Sequence, residues 1–238
     1  MIDSHCHIDL YPHPTDIAAA AAQAGVLTIL VTNLPSAYEA ALPHVKQFPR
    51  LRLALGLHPL EASKHRSERK KFGALKSQTS FIGEVGLDFS SAAQETKEIQ
   101  VSSFRFVLDE IKGQRKFVSV HSRRAESAVL DIADETAADL ILHWYTGPIG
   151  LVDRALRAGH HFSINPAMIG SKRGRRLIER LPPERVLSES DGPFVRICNR
   201  AAVPSDVSLV EDHLADVWSV TRERARERIR QNLRSIVA

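Results

Sequence analysis

His5 and His7, separated by one residue in the run Ile2-Asp3-Ser4-His5-Cys6-His7-Ile8-Asp9, offer two imidazoles to one side of an extended chain. Alternate residues of a strand share a face, so the pair suits a common metal ion, whereas on a helix this spacing would splay the rings apart. Taken alone, the pair reads equally well as two structural histidines of an N-terminal strand. Further along, Glu84, His121, His143 and Asp191 add residue types that ligate divalent ions, each near the end of a strand-like run. Imidazole and carboxylate together suit zinc, manganese, magnesium or iron, and six such groups serve two ions if one carboxylate bridges them. Glu84 is the expected bridge. One ion would take His5, His7, Glu84 and Asp191, and the second Glu84, His121 and His143. The expected cofactor is therefore two divalent ions per chain, Mg²⁺, Mn²⁺ or Zn²⁺, and the expected chemistry is hydrolysis.

Such a set must be held by a scaffold, and the periodicity specifies one. Eight short apolar runs, at Ile2–Asp9, Leu27–Asn33, Leu53–His58, Phe81–Asp88, Phe117–His121, Leu140–Tyr145, His161–Asn165 and Val186–Asp191, are each followed by a helical pattern. Buried apolar strands alternating with amphipathic helices mean parallel pairing covered by helices. Eight units without a break in composition predict one domain over residues 1–238, a closed (β/α)₈ TIM barrel. Helical patterns cover Asp16–Gly25, Gln94–Ile111 and Ile149–Gly159, Pro193–Ser205 reads as a loop, and Val207–Trp218 and Arg222–Ile236 read as closing helices. All six candidate ligands fall at C-terminal strand ends, the rim on which barrel active sites are built.

The 238 residues, 43% of them hydrophobic, exclude a disordered or low-complexity chain. Apolar runs such as Val26–Val31 are too short to cross a bilayer, and the start is acidic and histidine-rich. A cytoplasmic protein with no membrane partner is expected. Cys6 and Cys198 lack the spacing of a disulfide framework, and strand alternation turns Cys6 away from the histidine pair. A net charge of +4 permits an anionic partner without requiring one.

The phrases Asp3-Ser4-His5-Cys6-His7-Ile8-Asp9, Gly56-Leu57-His58-Pro59, Gly83-Glu84-Val85-Gly86-Leu87-Asp88, Val120-His121-Ser122-Arg123, His143-Trp144-Tyr145-Thr146-Gly147 and Glu189-Ser190-Asp191-Gly192-Pro193 occur in this order along nearly the whole chain. Together they resemble the TatD family of metal-dependent deoxyribonucleases. The resemblance implies the barrel of the amidohydrolase superfamily, a dinuclear centre and 3′→5′ exonuclease activity on DNA. More narrowly, Leu10-Tyr11-Pro12, Ala54-Leu55-Gly56-Leu57-His58-Pro59, Asn165-Pro166-Ala167-Met168 and Ser190-Asp191-Gly192-Pro193-Phe194 resemble QatD, the TatD-like component of the four-gene Qat antiphage defence system. That implies the other Qat proteins as partners. The sequence departs from the family pattern at Ser190 (usually threonine), at Trp144-Tyr145-Thr146 (commonly Cys-Phe-Ser) and after Asn199-Arg200, where the usual glutamate is absent. The first two leave the ligands intact, while the third alters a rim loop that shapes substrate choice.

Two ions near one phosphate lower the pKa of a bridging water and neutralise charge on the phosphoryl oxygens and leaving alkoxide. Glu84 and Asp191 are the residues expected to carry catalysis, Asp191 as ligand and proton relay. His58 and Arg123 are candidates for phosphate binding or for orienting a ligating imidazole. Trp144, Tyr145 and Phe194 are candidate stacking platforms, equally readable as packing. Lys172-Arg173-Gly174-Arg175-Arg176, after the seventh strand, could meet a nucleic-acid backbone; Lys64–Lys71 reads better as a solvated helix face. Glu189 reads as a structural salt bridge behind the site. The alternative to a nuclease is a hydrolase of a small amide, ester or other phosphoester, which the same centre would serve.

Overall fold

The computed structural model describes residues 1–237. Its apolar runs form eight parallel strands in sequence order. The first three, β1 (Ile2–Cys6), β2 (Leu27–Val31) and β3 (Leu51–Ala54), pair consecutively, as do β4 (Phe81–Gly86), β5 (Phe117–His121), β6 (Ile141–His143), β7 (His161–Ile164) and β8 (Val186–Ser188). Short pairings close the two seams. Between β3 and β4, Leu55 pairs with Ile82, and the Leu57 N–H donates to the Glu84 carbonyl at 3.0 Å. Between β8 and β1, the Ser188 hydroxyl donates to the Ile2 carbonyl at 2.6 Å and the Asp191 N–H to the His5 carbonyl at 3.0 Å. A buried side chain locks this second seam: the Asp3 carboxylate accepts from the Ser190 N–H at 2.9 Å and hydroxyl at 2.6 Å. Burial pushes the Asp3 carboxyl up to about 8. The ring is thus a (β/α)₈ barrel, with strands buried on both faces as parallel pairing requires.

The outer layer runs from α1 (Pro14–Gln23) and α2 (Pro35–Val45) through α3 (His65–Leu75), α4 (Lys97–Glu110), α5 (Glu126–Thr136) and α6 (Val152–Arg157) to α7 (Pro166–Gly170) and α8 (Lys172–Ile178). It is completed by α9 (Val207–Trp218) and α10 (Arg222–Val237). No helix among the described residues is long and apolar enough to cross a membrane.

The strands are shorter than the periodicity predicts, and the difference falls at the rim. His7, His58 and Asp191 lie just beyond β1, β3 and β8, because the chain leaves the ladder there to turn into the connecting loops. Beyond β3, Gly56 approaches the β2 end so closely that a Cβ would lie 1.5 Å from the Thr32 carbonyl oxygen. The long helix expected from Gln94 starts as a 3₁₀ turn, Ser91–Thr96, before α4, and Ile149–Leu151 likewise precedes α6. The expected loop after Pro193 holds a two-residue hairpin, β9 (Arg196–Ile197) with β10 (Arg200–Ala201), whose Cys198 and Asn199 take φ of 45° and 68°. The basic run at Lys172 is itself α8, capped by the Ser171 hydroxyl, which accepts from the Gly174 N–H at 2.9 Å. Lys64–Lys71 lies across the start of α3, as its pattern suggested, with Lys71 paired to Glu39.

Gly56→Ala should cost about 2 kcal/mol or more, within the range for overpacking a rigid interior, because backbone and not a flexible side chain blocks the added methyl. Urea denaturation measures it; an unchanged midpoint would show that the β2–β3 rim yields freely.

Candidate metal centre

At the C-terminal rim the six candidate ligands converge. The Nε2 atoms of His5 and His7 lie 3.3 Å apart. On one side they face Glu84 Oε2, at 3.5 and 3.1 Å, and on the other Asp191 Oδ1, at 3.7 and 3.9 Å. A tetrahedral ion with bonds of about 2.1 Å separates its ligands by roughly 3.4 Å, which these five distances bracket. His5, His7 and Glu84 thus lie close enough together to share a divalent ion, as do His5, His143 and Asp191, and His58, Glu84 and His121. The second oxygen, Glu84 Oε1, faces a different pair, His121 Nδ1 at 2.7 Å and His143 Nε2 at 2.8 Å. His58 Nε2 also reaches Oε2, at 3.3 Å.

Local structure fixes each donor. His5 Nδ1 meets the Ser119 hydroxyl at 2.7 Å, and the His5 ring stacks on His143 with centroids 3.9 Å apart. His121 Nε2 contacts Asp88 Oδ2 at 2.9 Å, and Asp88 Oδ1 accepts from the Ser90 N–H at 2.8 Å. Such partners set tautomer and ring direction in metal sites. Gly86, at φ 128°, brings this segment so near β5 that a Cβ would lie 2.1 Å from the His121 carbonyl oxygen. Asp191 and Trp144 take φ of 46° and 36°. A left-handed tryptophan is strained and persists only where its surroundings impose it. Here the Trp144 N–H donates to Glu189 Oε1 at 2.9 Å. Glu189, fully buried, also accepts from the Ser163 hydroxyl and from Asn165 Nδ2 at 3.0 Å, and it approaches His143 Nδ1 at 3.8 Å. It is a strut hydrogen-bonded across β6 and β7 that also pairs with His143, the structural salt bridge suggested by the sequence.

The charges follow from burial without a lysine or arginine partner. Burial alone would raise the Glu84 carboxyl, but His58, His143 and His121 hold it well below its ordinary range. Burial alone would lower His143, but Glu84 and Glu189 hold it well above its ordinary value. Burial opposes the proton on His121 as well, and Asp88 and Glu84 raise it. Burial drives His5 well below the usual range and pushes the Asp191 carboxyl well above its own. The raised His121 and His143 imidazoles and the lowered Glu84 carboxyl thus favour one another's charged forms.

The centre opens into a cavity of about 590 Å³ bordered by His7, His58, Leu60, Glu84, Asp88, His121, Ser122, Arg123, His143, Trp144, Thr146, Asp191 and Phe194. A cavity of about 650 Å³ at the opposite end, between α10 and the starts of β6 and β7, contains none of these groups. Among the sequence-derived substrate residues, His58, Arg123 and Trp144 border the centre. Lys172 and Arg173 do not: both are exposed on α8, and Arg173 donates to the Gly147 carbonyl at 2.7 Å. Tyr145 is buried and donates to the Pro148 carbonyl, so it is a packing residue, whereas Phe194 stands 57% exposed. Asp88 and Ser119 were not singled out as site residues from the sequence. Alternation was the available signal, since Asp88 shares the parity of Glu84, and Ser119 that of His121. Cys6 faces the Gly192 carbonyl at 3.5 Å, away from the imidazoles.

Barrel and cluster together define a metal-dependent hydrolase. Residues 2–238 match the family described as TatD related DNase, and the chain belongs to it. It is 26% identical over 256 residues to the human protein named deoxyribonuclease TATDN3, covering 98% of this chain and 92% of the relative. It is 28% identical over 190 residues to the 3′-5′ ssDNA/RNA exonuclease TatD of Dickeya dadantii, covering 75% and 72%. The crystal structure of YJJV, a TatD homolog from Escherichia coli K12, superposes with a TM-score of 0.89 at 24% identity over 100% of this chain and 97% of that one.

Because coordination needs a neutral imidazole and an ionised carboxylate, an ion bound by His143 and Asp191 would compete with protons for both groups. These groups titrate above their ordinary values, so affinity should rise with pH through neutrality and fall on acidification. Chelated protein titrated with Zn²⁺ in weak buffer at pH 7 should release at least about one proton per chain, followed by an indicator dye. Uptake without proton release would mean that neither group takes an ion.

Proposed function

We propose that this TatD-type hydrolase is a two-metal DNA phosphodiesterase, a 3′→5′ exonuclease working in the cytoplasm within a Qat-type antiphage system, its activity carried by one domain over residues 1–238. The division of Glu84 carries the two-metal reading. Its Oε2 faces His5 and His7 while its Oε1 faces His121 and His143, an arrangement in which a single carboxylate serves two ions. The names of the human and Dickeya relatives support a nucleic-acid substrate and, for the latter, the polarity. The rim phrases from Leu10 to Phe194 support the defence setting, and the two free thiols suit a reducing compartment.

His5, His7, Glu84 and Asp191 would hold one ion, and Glu84, His121 and His143 the other. Bound ions would supply an acidified water and neutralise the phosphodiester. The chain's own groups do the rest. Asp191 Oδ1 faces the His5–His7 pair at the cavity floor, placed to accept the nucleophile's proton and return it to the leaving oxygen. His58 Nδ1 accepts the Leu60 N–H at 3.1 Å, so its proton sits on Nε2, beside Glu84 and available to a phosphate oxygen. The exposed Arg123 guanidinium borders the cavity and would take phosphoryl oxygens in pairs. Lys172 and Arg173 would act only on strand extending beyond the cavity.

The deciding assay uses chelated protein, reloaded with Mg²⁺, Mn²⁺ or Zn²⁺, on end-labelled single- and double-stranded DNA and RNA. Stepwise shortening from the 3′ end is expected. Turnover of a small carboxylic ester without any polynucleotide cleavage would favour the small-substrate hydrolase.

Two sets of variants test the assignments. Asp191→Asn keeps shape but loses charge and basicity, so turnover at saturating metal should fall at least about 10²-fold, and near-normal turnover would remove Asp191 from the mechanism. By elemental analysis, Glu84→Ala should lose both ions and His143→Ala mainly the second. A wild-type protein that saturates with one ion would make the centre mononuclear.

A further inference from the structure

The two most exposed large apolar side chains of the described residues are Leu60, at 54%, and Phe194, at 57%, and both border the metal cavity. The other exposed large apolar residues, Leu10, Ile99, Leu209 and Val220, reach at most 44% and lie outside that lining. Leaving two such groups in water at the mouth of a polar centre is unfavourable by the area each would remove from water on being covered. The scaffold nonetheless mounts both on residues of the centre. The Leu60 N–H donates to His58 Nδ1 at 3.1 Å, and the Phe194 N–H donates to the Asp191 carbonyl at 2.9 Å. The Phe194 ring also meets His7 at a right angle, with centroids 5.1 Å apart. His58 and His7 in turn lie 3.3 and 3.1 Å from the same oxygen, Glu84 Oε2. Leu60 follows β3 and Phe194 follows β8, three strand steps apart around the barrel. The two residues therefore border one cavity from strands three steps apart, each hydrogen-bonded through its backbone to a residue of the centre.

A phosphate offers no partner for such surfaces, but a nucleobase does, since every base has an apolar π face that stacks irrespective of sequence. We propose that Leu60 and Phe194 form a clamp that holds the terminal nucleobase of the polynucleotide end being digested, and so retains that end in the cavity beside the metal centre. This deepens the nuclease reading above and rests on it. The cavity of about 590 Å³ lies within the range of ligand pockets that hold a molecule of nucleotide size. A base held between the two side chains is unavailable to a complementary strand, so the clamp selects single-stranded ends, and a blunt duplex has to fray first. Bases of any identity are accepted, because neither side chain has a hydrogen-bonding group to read their edges.

The test compares metal-loaded wild type on single-stranded oligonucleotides whose digested end carries either a normal nucleotide or an abasic one, with a blunt duplex of the same sequence as a third substrate. The abasic end should raise KM about tenfold or more, in the range of a lost stacking interaction, with kcat little changed because ground and transition states lose it equally. The blunt duplex should be digested more slowly than the single strand. In Leu60→Ala/Phe194→Ala the normal and abasic ends should become equivalent, and Phe194→Trp should restore the discrimination. Equal KM for normal and abasic ends in the wild type would overturn the clamp and leave the nuclease reading standing. Failure of the wild type to cut any polynucleotide with Mg²⁺, Mn²⁺ or Zn²⁺ would be a different result, which removes the nuclease reading and the clamp with it.

Discussion

A single buried carboxylate organises this molecule. Glu84 has almost no contact with solvent and no lysine or arginine beside it, yet its two oxygens meet five imidazoles, those of His5, His7 and His58 at Oε2 and of His121 and His143 at Oε1. A buried charge is tolerable only if it is paired and hydrogen-bonded. Imidazole differs from the fixed cations in that it can hold a proton or give it up to an ion. In the proposed reading the centre has two neutralised forms, one with protons on His121 and His143 and one in which divalent ions would take their place. Lysine or arginine at those positions would have stabilised the fold while closing the site to metal.

Such an arrangement demands that donors from six strands be fixed to within fractions of an ångström, and barrel closure does this. Where the β8–β1 ladder is incomplete, Asp3 grips Ser190, and this sets the turn that carries Asp191 opposite the histidine pair. On the other side, Glu189 takes the Trp144 N–H, Ser163 and Asn165, which imposes the left-handed Trp144 and aims His143 inward. Both struts are carboxyl groups hydrogen-bonded to backbone N–H, hydroxyl and amide donors. They add order behind the ligands without adding a competing cation.

The outer cavity divides its work differently from its floor. The floor is wholly polar, while the mouth presents Leu60, Trp144 and Phe194, with Arg123 the one arginine or lysine along its lining. The basic helix α8 stands apart, with Arg173 engaged by Gly147 and Arg175 by Ile169. In the proposed reading, attraction for a phosphate backbone and grip on the reacting end would fall to different surfaces.

The sequence by itself determined the architecture and the identity of the converging groups, because both are written locally. Strand and helix periods fix eight alternating units, and each candidate ligand sits at the end of an apolar run whose C-terminus must face the same rim. Tertiary structure alone decided how those groups share charge. Nothing local tells that Glu84 splits its oxygens between two sets of imidazoles, that Asp88 holds His121, or that Glu189 is a hydrogen-bonded strut, since each depends on distances between residues 24 to 79 positions apart in sequence. Nor could the chain order separate Phe194, left in solvent, from Tyr145, buried in packing, as both read as rim aromatics. Side-chain period reports which face a residue occupies; only the closed barrel determines what stands opposite it.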